Sequence, residues 1–358
     1  MKIAFLGDIA FVGRFDLQQN SHVYENLKDI AEFLNTFDYV VANLESPITD
    51  ISAADSYKAI HLKTSSLSVD LLNYLNIKIV NLSNNHIFDY GVAGFEETIC
   101  LLDKNKIEYF GIDDKELILE FENNKIAFNG YCCYSANGIR YKEESKSPYI
   151  TPINIESVED RLKANQENGY LSVLSFHWGI ENVNYPAYEH IKFARNLAEK
   201  YKFILYGHHP HVAQGVEKIE ESIISYSLGN FVFDEVLSTS IKGLKNKMDN
   251  NNRTSLILSL EINDNQIEDV SLIHIFEEDG RISIKDNPLF ETYCETLYLS
   301  KDEYQNLRKE KLGEYLIKNN VKHDLSWFLK RLNRNFIEAY LRGRRNASIY
   351  NKMFDKYK

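Results

Sequence analysis

Short apolar runs alternate with helix-periodic segments along the first two-thirds of the chain. Residues 2–7, with Ile3-Ala4-Phe5-Leu6 before Gly7-Asp8, read as a buried strand. Residues 25–34 place Leu27, Ile30, Ala31 and Leu34 at the period of an amphipathic helix. The same alternation predicts a strand at 39–42, a helix from Ser66 to Leu75 with Leu71, Leu72 and Leu75 inward, a strand at 77–82 and a helix at 92–105. Residues 117–119 and 125–128 flank Asn123-Asn124 as a β-hairpin. A helix at 156–167, a strand at 171–176, a helix at 187–200 and a strand at 203–205 follow. Thereafter the pattern turns mainly to β, at 223–226, 255–262, 270–276 and 282–284. Alternating strands and helices followed by antiparallel strands predict a layered α/β sandwich. From about residue 296 the apolar positions Leu307, Leu312, Leu316, Leu325, Phe328, Leu329, Leu332, Phe336 and Leu341 recur at roughly helical spacing.

Polar residues able to bind metal stand at five of the predicted strand ends. They are Asp8, then Asn43 with Glu45, then Asn85 with His86, then His177, then His208-His209-Pro210-His211. Gly207 and Pro210 break the last strand into a tight loop. In an α/β sheet such carboxyl ends lie along one edge, where ligands bind. Hard carboxylate and amide oxygens mixed with imidazoles are the donors expected around one or two divalent transition ions. Each group alone has a plain structural explanation, such as a cap, a turn or a core histidine. Five in succession, each after an apolar strand, point to a site.

Composition adds bounds. Apolar residues make up 44% and charged residues 26%, ordinary for a globular protein. Cys100, Cys132, Cys133 and Cys294 lack the spacing of a metal or redox motif, so reduced thiols are expected. Met1-Lys2 leads directly into the first strand, and no run is long enough to span a bilayer. A cytoplasmic location follows as the expectation, with a membrane-peripheral variant if the tail docks. Residues 301–358 carry 15 basic and 7 acidic residues, a balance of +8, which leaves −19 on residues 1–300 out of the net −11. An acidic body argues against nucleic acid as a partner. The basic tail reads either as a helical lid packed on that body or as a docking surface for a capsule-synthesis partner or membrane headgroups. Acids interleaved with its bases favour the lid. The division expected is a body at 1–295 and a helical extension at 296–358. The chain has no P-loop or glycine-rich nucleotide cradle, which argues against ATP-driven bond formation.

Six blocks in order carry a resemblance. They are Gly7-Asp8, Asn43-Leu44-Glu45-Ser46-Pro47, Asn84-Asn85-His86 with Asp89-Tyr90-Gly91, His177-Trp178-Gly179, Gly207-His208-His209-Pro210-His211, and Tyr226 through Asp234. Over roughly residues 1–240 the chain resembles the CapA family, named for the poly-γ-glutamate capsule synthesis protein, within the calcineurin-like metallophosphoesterase superfamily. The resemblance implies a calcineurin-like metallophosphoesterase sandwich, two β-sheets flanked by helices, here with a C-terminal helical extension. It also implies one or two divalent metal ions (Mn, Zn or Fe) at the strand ends. Asp8 resembles the first-strand ligand, Glu45 the bridging carboxylate with Asn43 beside it, and Asn85 the amide ligand. His177 resembles the lone histidine ligand, and His209 and His211 the last two, with His208 competing for the first of these roles. His86 resembles the acid or phosphate-contacting histidine, and Asp89 is placed to orient it. Arg14 and Lys63 are candidates for holding a phosphate or carboxylate. Three motifs depart from the superfamily. Asp8-Ile9-Ala10 has no histidine where Asp-x-His is usual, Asn-Leu-Glu replaces Gly-Asp-x-x-Asp, and the His-x-His pair lies one residue further from Gly207. The function implied is a metal-dependent hydrolase of the phosphoesterase type in capsule or exopolymer synthesis, acting on an anionic small molecule or polymer. The alternative is a non-catalytic assembly or polymer-binding protein of a capsule synthesis complex, which the missing histidine favours.

Overall fold

In the computed structural model, which describes residues 1–54, 58, 60–136, 148–238, 245–318 and 334–358, the strands follow the apolar runs. In chain order they are β1 (Lys2–Ile9), β2 (Tyr39–Leu44), β3 (Ile77–Asn81), β4 (Glu108–Phe110), β5 (Leu117–Phe121), β6 (Asn124–Cys132), β7 (Leu171–His177), β8 (Phe203–His208), β9 (Val216–Ile219), β10 (Ser222–Ser225), β11 (Asn230–Val232), β12 (Val236–Leu237), β13 (Lys245–Asn246), β14 (Thr254–Asn263), β15 (Gln266–Glu278) and β16 (Arg281–Ile284). The first sheet runs β16-β15-β14-β1-β2-β3-β4 with β11 attached to β1, the second β5-β6-β7-β8-β10-β9, and β12 and β13 form a small ribbon.

Strand alternation sorts the core into layers. Ile3 and Phe5 of β1 face the second sheet and pack with Phe128, Val173 and Ile204. Ala4 and Leu6 face the other way, onto the helices Lys28–Leu34, Val69–Tyr74 and Gly91–Lys104. Leu174 and Phe176 of β7 pack likewise beneath the helices Ile155–Glu167 and Tyr188–Ala198. The result is helix, sheet, sheet, helix, the sandwich that the resemblance implied. The two sheets each contribute parallel strands, β1 to β4 in one and β6, β7, β8 and β10 in the other.

Several expectations shift. The metal-capable strand ends do not share one sheet edge: Asp8, Asn43, Glu45, Asn85 and His86 come from the first sheet, and His177, His208, His209 and His211 from the second. The helix at 25–34 breaks at Leu27 into Val23–Asn26 and Lys28–Leu34, and Ser66–Ser68 forms a 3-10 turn before Val69–Tyr74. Strands β4 and β11 are too short to show periodicity, and both complete the first sheet. β1 pairs antiparallel with β14 along Lys2–Phe5, and β11 takes over in parallel at Asp8 and Ile9.

Downstream lie the helices Phe290–Thr296, Lys301–Lys318 and Arg334–Phe354. Tyr304 and Phe354 are buried in the core of the second helical layer, with Ile191, Phe193 and Leu197. Leu316 and Leu341 are instead exposed, at 42% and 59%. Leu325, Trp327, Phe328, Leu329 and Leu332 lie outside the described residues, as does the side chain of Phe336. Among the described residues all four cysteines are free, and no helix is long and apolar enough to cross a membrane.

Candidate metal centre

The sandwich brings the two sets of strand ends against each other. Asp8, Asn43, Glu45, His177 and His208 are fully buried, and Asn85, His209 and His211 are at most 8% exposed. Asn43 Nδ2 donates to Asp8 Oδ1 at 2.8 Å, and the His209 amide donates to Asp8 Oδ2 at 3.1 Å. His177 spans the gap, with Nε2 2.8 Å from Asn85 Oδ1 and Nδ1 2.7 Å from His208 Nδ1. His208 Nε2 reaches Ser175 Oγ at 2.7 Å. His211 stands between the carboxylates, Nδ1 3.5 Å from Asp8 Oδ2 and Nε2 3.6 Å from Glu45 Oε1. Ligating atoms fall within 4.8 Å of one another in the sets Asp8–His177–His208, Glu45–His177–His209 and Asp8–Glu45–His211. Both His208 and His209 thus reach the centre, each in a set that includes His177.

Hydrogen bonds fix the protonation of His211. The backbone carbonyl of Asn252 can only accept, so the Asn230 amide turns its Nδ2 toward it, at 3.2 Å. Asn230 Oδ1 then faces His211 Nδ1 at 2.9 Å, and that nitrogen must carry the proton. Nε2 is left facing Glu45. A ring N–H held by an oxygen acceptor in this way orients the other nitrogen as a ligand. Asn230 is the register partner of Asp8 across β1 and β11. The loop is also strained: His209 and His211 have φ of +95° and +57°, a conformation that side chains adopt rarely and that clusters at functional sites.

The electrostatics follow from burial. Desolvation pushes the Asp8 carboxyl up and the Glu45 carboxyl well up, the latter raised further by Asp8 beside it. Burial holds His177, His208 and His209 well below the ordinary imidazole value. Both oxygens of Glu45 are buried without a hydrogen-bond partner. Such an orphaned carboxylate is costly unless a cation meets it. Two buried carboxylates among neutral imidazoles therefore fit one or two divalent ions.

Beside this cluster stands a second group. His86 Nδ1 lies 2.6 Å from Asp89 Oδ2, and Lys58 Nζ bonds Asp89 Oδ1 at 2.5 Å and also the Asn85 carbonyl. Burial alone would raise the Asp89 carboxyl, but the Lys58 ammonium and His86 hold it at about 2. Burial and Lys58 lower His86. Asp89 stays ionised and fixes the His86 ring with its Nδ1–H inward.

Arg14 and Lys63 are engaged elsewhere. The Arg14 guanidinium bonds Asp234 at 2.8 and 3.0 Å and Glu277 at 3.3 Å. Lys63 Nζ donates to the Ile51 carbonyl at 3.0 Å and lies 5.2 Å from the centre of the Tyr90 ring. Sequence reasoning did not single out Lys58, Asn230 or Glu181. Asn230 stood within a quoted block, whereas Lys58 lies in a loop with no pattern of its own.

Residues 2–235 match the family model described as the bacterial capsule synthesis protein PGA_cap. Over 247 residues the chain is 30% identical to the PGA biosynthesis protein CapA of Bacillus subtilis (strain 168), covering 66% of this chain and 64% of that protein. It is 31% identical over 222 residues to the capsule biosynthesis protein CapA of Bacillus anthracis, covering 58% of this chain and 53% of that protein. The chain thus spans less than two-thirds of the length of these curated relatives. Among solved structures it is similar to the 5'-nucleotidase of Candida albicans SC5314, with a TM-score of 0.43 and 10% identity over 88% of this chain and 57% of that chain. The match over residues 2–235 takes in all six motif blocks, and the chain belongs to the bacterial capsule synthesis protein family PGA_cap.

Proposed function

We propose that the chain is a metal-dependent hydrolase of the phosphoesterase type, serving capsule or exopolymer synthesis. The observation that carries this reading is Glu45, a fully buried carboxylate with both oxygens unpartnered amid Asp8, His177, His209 and His211. Asp8, Glu45, Asn85, His177, His209 and His211, with His208 behind them, would hold the ion or ions. When bound, divalent ions polarise a phosphoryl oxygen and activate water for in-line displacement. The protein's own part is positional. Asn230 keeps His211 Nε2 aimed at Glu45, and the two sheets exclude bulk water from the base of the site. His86 stands at the rim, 9% exposed. Held by Asp89 through Nδ1, it would present Nε2 to the leaving oxygen and, in its doubly protonated form, deliver the Nε2 proton or stabilise developing charge there. The substrate class is an anionic small molecule or polymer, and the basic helices beyond residue 300 would meet an anionic polymer or membrane surface. The second reading, an assembly protein without turnover, draws on Ala10, which leaves one metal position a ligand short.

Metal content of the purified full chain and hydrolysis of bis-p-nitrophenyl phosphate test the proposal together. Bound metal with turnover is expected, and His86→Ala should keep the metal but lose about 10²–10⁴-fold in rate. Metal without turnover on a panel of phosphoesters selects the assembly reading. Absence of metal removes the hydrolase reading altogether, and an unchanged rate in His86→Ala assigns that residue a structural role.

A further inference from the structure

The loop after β7 carries a carboxylate that none of the six motif blocks includes. Gly179, at φ +100°, turns the chain out of the strand. Asn182 then anchors the loop: its amide donates to the Pro210 carbonyl at 2.7 Å, its Oδ1 accepts from Asn252 Nδ2 at 2.6 Å, and its Nδ2 donates to the Tyr315 hydroxyl at 3.1 Å. Glu181 sits between these fixed points and not on a free arm. Its carboxylate and a ring nitrogen from each of His209 and His211 lie within 4.8 Å of one another. Glu181 is exposed, and the two histidines beneath it are buried.

His209 supplies an independent pointer. It is 4% exposed, and its Nδ1 is buried with no hydrogen-bond partner among the described residues. Whether that nitrogen carries a proton or a lone pair, leaving it unmet is unfavourable. A cation facing the lone pair removes the cost. The strained φ of His209 holds the ring in this pose. His211 is shared with the set Asp8–Glu45–His211, whose member Asp8 belongs to the motif that carries Ala10 in place of a histidine.

We propose that Glu181 is a divalent-cation ligand that closes the centre on its solvent side with His209 and His211, supplying the donor absent at Ala10. The inference rests on the metal reading above. It places an oxygen ligand at the exposed end of the site and the imidazole-rich set at the base. A hard oxygen donor added to the centre shifts its preference toward Mn²⁺.

The test is Mn²⁺ titration of the chelator-stripped full chain by calorimetry and equilibrium dialysis, for wild type, Glu181→Gln and Glu181→Asp. Loss of a group outside the ligand set typically costs roughly 10–100-fold in metal affinity, so loss of a ligand should weaken Mn²⁺ binding at least about tenfold in Glu181→Gln. Glu181→Asp, which keeps the charge and one oxygen donor, should retain most of the affinity. Glu181 is exposed, so the stripped variants should melt at the wild-type temperature. If wild type binds Mn²⁺ and Glu181→Gln binds it as tightly, this inference is overturned and the metal centre stands without Glu181. If wild type binds no divalent ion, this inference and the hydrolase reading fall together.

Discussion

Gly207→Ala is expected to destabilise the protein by about 3 kcal/mol or more and to dismantle the candidate metal centre. A Cβ at Gly207 would lie 1.9 Å from the Tyr226 carbonyl oxygen and 2.8 Å from Trp178 Nε1. The obstacle is backbone, so no rotamer change relieves it. That same carbonyl accepts the Trp178 indole N–H at 2.9 Å, and the Leu228 amide donates to the Gly207 carbonyl at 2.9 Å. Separating these segments moves Trp178 and with it His177, while His208 follows Gly207 directly. Denaturant unfolding should show a lower midpoint with an unchanged slope, and divalent-ion binding should be lost with it. Gly313→Ala is the control. Gly313 lies within the helix Lys301–Lys318 with nothing within 4 Å of its would-be Cβ, and alanine there should stabilise by about 0.5–1 kcal/mol. Equal stabilities for the two variants would mean that the close approach at Gly207 does not exist in solution.

Removing residues 300–358 should expose the second helical layer and cause aggregation. Tyr304 is 1% exposed and Phe354 fully buried. The Tyr304 hydroxyl donates to the Pro186 carbonyl at 2.8 Å, and the Tyr350 hydroxyl reaches Glu189 at 2.8 Å and His190 at 3.0 Å. The Phe354 ring packs at 5.1 Å from His190 and 5.7 Å from Phe193. Burying one such ring is worth roughly 1.5–3 kcal/mol, so losing Tyr304, Tyr350 and Phe354 together removes on the order of 5 kcal/mol, comparable with the whole stability of many domains. His190 also stacks on Trp178 at 4.4 Å, so the uncovered face lies one residue from His177. A lower melting temperature and loss of soluble monomer should be seen by calorimetry and gel filtration. A truncated chain that stays monomeric and equally heat-stable would show that these rings contribute nothing to stability. The balance of +8 on residues 301–358 against −19 on the rest aids this packing only at contact range, since charges are screened over about 8 Å at physiological salt.

What the sequence made legible was governed by length. β1, β2, β7 and β8 are buried on both faces, so Ile3–Leu6, Tyr39–Ala42 and Phe203–Leu205 appear as unbroken apolar runs, and each is followed closely by a site residue, Asp8, Asn43 or His208. β4 and β11 have three residues each, too few to show any period. Their pairing is set by the neighbouring strand and not by their own composition. Sequence order could not tell that the strand ends belong to two sheets, because a switch of sheet between β3 and β7 leaves no mark in hydrophobic pattern. Arg14 shows a further limit. Its charge made it a candidate for holding an anion, but Asp234 and Glu277, 220 and 263 residues away, already occupy it.

The divided pairing of β1 also dictates the order in which the molecule can be completed during synthesis. Asp8 emerges early, but the carbonyl its amide bonds belongs to Gly229, and the antiparallel partner of Lys2–Phe5 is at Leu258–Glu261. At roughly 5–20 residues per second, the nascent chain carries β1 with one edge open for on the order of 10–50 s. An open, apolar strand edge is a template for pairing with another chain. Asp8 of the candidate centre is therefore among the last of its residues to be fixed.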